Sequence, residues 1–200
     1  MQAQTLNGMV RNLRNYITSS LLNSWLFNTS EYGDINNFIS YLNKEPKEQT
    51  EAMLKGIEFE NECYDGKHEH IQKYIKNGLY QVECRKIYKD ILIFGYADVL
   101  TYDTIYDIKR VKSYKLGKYY NTSQHKIYCY CLGLDKFAYL VQAKDEDKNN
   151  FFVEHYDYKQ GQAEQLIDQF IDWLRVTGYY KIWKERWAIV TGKQIGRAHV

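Results

Sequence analysis

Proline is almost absent from this 200-residue chain; Pro46 is the only one, and it stands where a helix could begin. Cysteine is scarce as well. Cys63, Cys84, Cys129 and Cys131 show neither metal-ribbon spacing nor a secreted disulfide framework, so a reducing cytoplasm is the expected compartment. Apolar runs are short, and none approaches a membrane span; the opening MQAQTLNGMVRNLRN also lacks the apolar stretch of a signal peptide. Nor does one sign of charge dominate, because a net charge of +2 is too small to argue for nucleic acid by itself. What is present is 44% hydrophobic and 26% charged, the make-up of a soluble globular protein with enough chain for one domain and a real core.

Apolar residues at Leu6, Met9, Val10, Leu13, Ile17, Leu21 and Leu22 predict an amphipathic helix over residues 6–27. Short helices are expected around 34–42 and over 67–76, the latter stopping at Asn77-Gly78, with a longer one over 48–64 between them. Strands are expected over 79–88, 91–102 and 105–111, followed by a helix over 116–132. Two further strands over 136–143 and 151–158 flank the charged loop KDEDKNN, and helices over 160–176 and 180–187 close the chain. This order predicts a single α/β domain over 1–190, with a small mixed sheet flanked by helices. Residues 191–200 read as a non-native or disordered tail: IGRAHV resembles the translation of a sequencing-adaptor read-through, so the natural C-terminus is expected to be missing.

The chemistry concentrates between Phe94 and Lys109, in FGYADVLTYDTIYDIK. Two runs rich in β-branched and aromatic residues meet at the polar break Tyr102-Asp103-Thr104, the pattern of a β-hairpin. A two- or four-residue loop places Asp98 directly across from Asp107. Strand side chains alternate, so Asp107 and Lys109 share that face while Ile108 points into the core. Phosphodiester cleavage needs charge neutralisation, an activated water and a stabilised leaving oxygen, all of which Mg²⁺ supplies when hard oxygens hold it. Asp98, Asp107 and the carbonyl of Ile108 are suitable ligands, and Lys109 would sit beside the metal to orient water or stabilise charge. Immediately beyond lies KRVKSYKLGK, five basic residues with no acid, which offsets the carboxylate field. Gln124 and Tyr128, four apart, share one helix face, and Glu60 lies on the helix before the first strand.

Taken in order, the helix GIEFE, then GYAD, then DIK, then Gln124-x-x-x-Tyr128 resembles the PD-(D/E)xK nuclease superfamily, in its branch with lambda exonuclease and RecB-type nuclease domains. The resemblance runs from about Met53 to Leu140. It implies a restriction-endonuclease-like core. It implies metal ligation by Asp98, Asp107 and Glu60, a catalytic lysine in Lys109, and orientation of Lys109 or the substrate by Gln124. Tyr128 is implied as a DNA contact, and Lys112, Lys115 and Lys118 are reasonable phosphate contacts. Ala97 replaces the family's proline, and Asp107 stands where many members have glutamate. With no cysteine after Cys131, the iron–sulfur cluster of some relatives is not expected.

Other residues have plainer readings. Glu58 is expected to face solvent, with a smaller chance of taking the place of Glu60. His68 and His70, two apart on a helix, should diverge at the surface. His125 has a minor claim to touch phosphate, Asp103 reads as a turn residue, and Asp145, Glu146 and Asp147 as a solvated loop. Cys129 and Cys131 read as small apolar groups.

The leading expectation is therefore a Mg²⁺-dependent deoxyribonuclease, with Mn²⁺ able to substitute. It would be an exonuclease of phage-type recombination or DNA processing, working in the cytoplasm of a bacterial host. Its partner would be DNA, a single-strand annealing protein is typical of phage relatives, and a homo-oligomer is open. The alternatives are a site- or structure-specific endonuclease and a non-catalytic nucleic-acid-binding module.

Overall fold

A computed structural model describes residues 15–145 and 148–189, with residues 145, 148 and 149 described by backbone alone. The chain runs β1 (Asn15–Thr18), α1 (Ser19–Asn28), α2 (Ile35–Leu42), α3 (Glu51–Tyr64), α4 (Glu69–Ile75), β2 (Leu79–Tyr88), β3 (Ile91–Leu100) and β4 (Thr104–Val111). It continues through α5 (Gln124–Leu132), β5 (Lys136–Asp145), β6 (Lys148–Asp157), α6 (Gln162–Val176) and α7 (Tyr180–Arg186). This is the expected mixed α/β architecture, with helices on both faces of one sheet. Among the described residues no helix is long and apolar enough to cross a membrane.

The six strands form one sheet in the order β1-β3-β4-β5-β6, with β2 paired to β3 off that path. β2 lies antiparallel along the whole of β3, from Tyr88↔Ile91 to Leu79↔Leu100. A strand has only two hydrogen-bonding edges, so β1 and β4 must share the other one. β1 takes its start in parallel, Asn15↔Ile91 to Thr18↔Phe94, and β4 takes its end at Val99↔Tyr106 and Leu100↔Ile105. Between Phe94 and Val99 that edge of β3 opens, while β4 turns away to pair with β5 over its full length. The sheet is split where the chemistry was expected.

Two apolar clusters hold the layers. The larger joins α1, α2, α5 and α6 to one face through Leu21, Phe38, Ile127, Phe137, Tyr139 and Phe170. The smaller packs α3 and α4 on the other face through Phe59, Cys63, Ile71, Ile75, Val99, Ile108 and Leu140. Ile108 points into this core, as expected.

The elements depart from the sequence reading in four places. The helix expected over 6–27 begins only at Ser19; Asn15–Thr18 is a strand, and residues 6–14 lie outside the described ones. Tyr16, Ile17 and Thr18 favour extended backbone, β3 offers them an open edge, and Thr18 Oγ1 then caps α1 by accepting from Leu21 N at 3.1 Å. The helix expected over 48–64 starts at Glu51, capped by Thr50. That expected over 116–132 starts at Gln124, because Gly117 adopts φ 83° and Ser123 N is held by Asn23 Oδ1 at 2.6 Å. The strands around KDEDKNN run further than expected, to Asp145 and from Lys148; Glu146 and Asp147 lie outside the described residues, as does the tail over 191–200.

Candidate active site

The turn at Tyr102-Asp103 closes with Thr101 N donating to the Thr104 carbonyl at 3.0 Å, which sets the expected register. The next pair inward after Val99↔Tyr106 would be Asp98 with Asp107, but the ladder ends before it. Instead the Asp98 carboxylate reaches into the split and accepts from Ile108 N at 2.8 Å. Asp107 is fully buried. Gln124, the first residue of α5, donates to its Oδ1 at 2.6 Å, and Lys109 forms an ion pair with its Oδ2. Gln124 thus meets Asp107, the acid paired with Lys109, where the resemblance implied a contact to Lys109 or the substrate.

Glu60 approaches from α3. The Tyr64 hydroxyl, one helical turn on, donates to Glu60 Oε1, and Gln81 Nε2 donates to the same oxygen at 2.6 Å. Gln81 also donates to Tyr64 Oη at 2.9 Å, and Tyr64 Oη lies 3.4 Å from the Asp98 carbonyl oxygen. Gln81 faces Asp98 in the β2–β3 register, yet that pair is missing while Tyr80↔Val99 and Val82↔Ala97 stand on either side. Its backbone is left-handed, with φ 51°, a conformation that costs a non-glycine residue about 1 kcal/mol. Gln81 and Tyr64 were missed in the sequence. Tyr64 carries the i+4 spacing from Glu60 that could have shown it, whereas nothing in LYQVEC marks a left-handed residue inside a strand.

Asp107 and Asp98 therefore face one lysine, with Glu60 near enough to act on both acids. The pKa of Asp98 is raised well above the usual carboxylate range, first by burial, then by the Asp107 charge, with Glu60 adding to it. Asp107 is raised too, by burial and by Glu60, against the lowering effect of Lys109. Burial alone would depress the Lys109 ammonium, but Asp107 and Asp98 more than reverse it, so its pKa is raised and its charge is held. Hard oxygens with an excess of negative charge are the donor set that suits Mg²⁺. As they stand, each acid is engaged by protein donors, and among the described residues no three acidic, histidine or cysteine side chains converge closely enough to hold a metal. The residue types suit the ion.

The remaining expectations separate. Lys112, Lys115 and Lys118 are exposed on the loop after β4. That loop is pinned by Glu154, a buried acid missed in the sequence, which accepts from Gly117 N at 3.1 Å and from the Tyr114 hydroxyl. Tyr128 is buried, and its ring packs on Gly95. It backs Asp107 and Lys109 instead of lying open to DNA. His125 is buried as well, stacked on Tyr156 at 4.5 Å, and burial with nearby Lys126 pushes its pKa down to about 4. It is a core residue with no path to a phosphate. His68 and His70 do not diverge: α4 begins at Glu69, so His68 precedes the helix, and the rings lie 5.8 Å apart. Each is engaged, His68 with Glu62 at 3.1 Å and His70 with Gln142 at 2.9 Å. Glu58 is exposed, and Asp103 is a turn residue paired with Lys136 at 2.6 Å. Burial raises the thiols of Cys129 and Cys131 to about 12, which leaves them inert.

No family model and no curated protein sequence matches the chain. Solved structures do. An exonuclease from Laribacter hongkongensis, LHK-Exo in complex with dAMP, is similar at TM-score 0.54 and 13% identity, over 88% of this chain and 95% of that one. A Eubacterium rectale protein provisionally described as an exonuclease is similar at TM-score 0.56 and 10% identity, over 93% and 87%. SSO0001 is similar at TM-score 0.52 and 16% identity, over 85% and 86%. At these identities the likeness establishes a shared fold.

Proposed function

We propose that this chain is a divalent-metal-dependent deoxyribonuclease, and within that class an exonuclease acting on linear DNA. One observation carries the reading: at the split between β3 and β4, Asp98 bonds the backbone of Ile108 while Asp107 is paired with Lys109 and held by Gln124. The fold shared with exonucleases supports it. The motif order extends the proposal to phage-type recombination in a bacterial cytoplasm, beside a single-strand annealing protein.

Asp98, Asp107 and the Ile108 carbonyl would hold Mg²⁺ or Mn²⁺, with Glu60 completing the set directly or through water. When bound, the ion neutralises phosphate charge and brings a water into the nucleophilic range near neutral pH. Lys109, two residues after Asp107, holds its ammonium proton at Nζ and can donate to the attacking water or a non-bridging oxygen. Gln124 keeps Asp107 in one rotamer, so the lysine has a fixed partner. Water would attack phosphorus in line and lose a proton to solvent, the new O–P bond forming as the P–O ester bond breaks, and the leaving alkoxide would take up a proton from solvent. Lys112, Lys115 and Lys118 would hold neighbouring phosphates.

Labelled linear duplex and closed circular duplex, each with Mg²⁺, provide the test. An exonuclease consumes the linear DNA and spares the circle, and Asp107→Ala and Lys109→Ala each lose at least about 100-fold. Cutting of the circle indicates an endonuclease. Salt-sensitive binding without cleavage in any divalent metal indicates a non-catalytic module.

A further inference from the structure

We propose that Gln81 is a positioning residue that fixes Glu60 toward the metal through a strained turn of β2, an inference that rests on the nuclease reading above. Three observations carry it. Gln81 is one of four non-glycine residues with positive φ among the described residues, and it alone lies inside a strand. It stands at the register position opposite Asp98, and the missing pair there frees its side chain from the regular alternation of β2. Its amide then makes two bonds, to Glu60 Oε1 and to Tyr64 Oη.

The strain has no evident structural return. A ladder pair is given up, and Gln81 is half-buried without joining either apolar cluster. Backbone held in such a conformation is typical of functional sites. The amide can only donate to a carboxylate through Nε2, so it fixes which Glu60 oxygen is engaged and leaves Oε2 for another partner. Tyr64, stacked on Tyr80 at 4.7 Å, closes the triangle and links it to the Asp98 backbone. Glu60 on a helix and Asp98 on a strand are thus tied to one frame. Outer partners of this kind commonly change metal affinity 10–100-fold when removed.

The test uses Gln81→Gly, which tolerates the left-handed backbone and removes the side chain with its amide. Calorimetric titration with Ca²⁺ should show affinity falling about tenfold. The Mg²⁺ concentration for half-maximal digestion should rise by the same factor, while activity at saturating Mg²⁺ returns to within about twofold of wild type. The metal-free melting temperature should not fall. In a Glu60→Gln background the same change should have no further effect on Ca²⁺ affinity. Unchanged Ca²⁺ affinity, or an equal loss in both backgrounds, overturns the proposal, as does a lower melting temperature with intact metal binding. Wild-type protein that neither binds Ca²⁺ nor cuts DNA would instead refute the nuclease reading.

Discussion

The Asp98 carboxylate accepts a hydrogen bond from Ile108 N at 2.8 Å, one residue beyond the partner that the hairpin register assigns to it. This bond bridges the two strands where their ladder has stopped. It sets one acid, half-buried, inside the split, while the second is fully buried. A continuous ladder would have put both acids on a closed sheet face. The split is therefore the feature that converts a hairpin into a site.

Neutralising an acid should stabilise the metal-free protein. Asp98 has a folded pKa raised by burial and by Asp107, above the unfolded value of about 3.9. Its contribution to stability is fully present below that unfolded value and is lost as pH rises through the folded one. In EDTA, Asp98→Asn should be the more stable protein by about 1 kcal/mol or more at pH 8 and lose this advantage near pH 4. Thermal melts across that range check it. Added Mg²⁺ should raise the wild-type melting temperature and leave that of Asp98→Asn unmoved.

Removing the lysine should have the opposite effect on the fold. Lys109 is the cation paired with fully buried Asp107, so Lys109→Met strands a charge and should cost about 3 kcal/mol. The double variant Lys109→Met/Asp107→Asn should recover most of that loss in urea melts. It should recover no nuclease activity. An activity that returned with the fold would show that Lys109 serves stability alone.

Gly95 limits how the helix carrying Gln124 can sit. A Cβ there would lie 3.0 Å from Tyr128 Cε1, tighter than packed side chains allow without movement. Gly95→Ala should therefore destabilise by about 1–3 kcal/mol. Adding Tyr128→Leu should relieve it, and urea melts of the three variants measure the coupling. If Gly95→Ala is neutral by itself, the close approach does not constrain α5.

The lysines of the loop after β4 should act through phosphates. Each of Lys112→Ala, Lys115→Ala and Lys118→Ala should reduce the slope of log K against log salt by about 0.9, measured on duplex DNA with Ca²⁺. Glu154→Ala removes no lysine but releases Gly117 N and the Tyr114 hydroxyl. It should weaken binding while leaving the slope close to the wild-type value. A slope unchanged in all three lysine variants would remove this loop from the DNA interface.

Much of this was legible because local patterns and tertiary demands agreed. The strands over 79–88 and 91–100 were expected, the second two residues longer, the short helix expected around 34–42 forms with Asp34 as its cap, and Asn77 follows α4 in the left-handed region. The register at Val99↔Tyr106 and Leu100↔Ile105 followed from the turn, although the next pair, Asp98 with Asp107, does not form. What could not be read depended on long-range partners. β1 exists because β3 has an open edge, the late start of α5 depends on Asn23 and Gly117, and Gln81 leaves the pleat for partners on α3. His68 was misjudged for a related reason: the helix boundary fell one residue after it, and the i,i+2 rule ceased to apply.

His125 provides a pH test whose sign is opposite to that of Asp98. Burial holds its folded pKa down at about 4, against about 6.5 in the unfolded chain, so the neutral ring is the folded form. A depressed pKa contributes stability that is present above the unfolded value and lost as pH falls toward the folded one. Wild type should therefore lose stability between about pH 6.5 and 4 relative to His125→Phe, which keeps the ring stacked on Tyr156 and deletes the buried, unpartnered Nδ1. Thermal melts of the pair at pH 7.5 and 4.5 measure the difference. A constant gap between them would mean that His125 is charged or solvated in the fold. Digestion of linear DNA at pH 8 should be the same in both proteins, since a buried neutral ring has no proton to offer a phosphate.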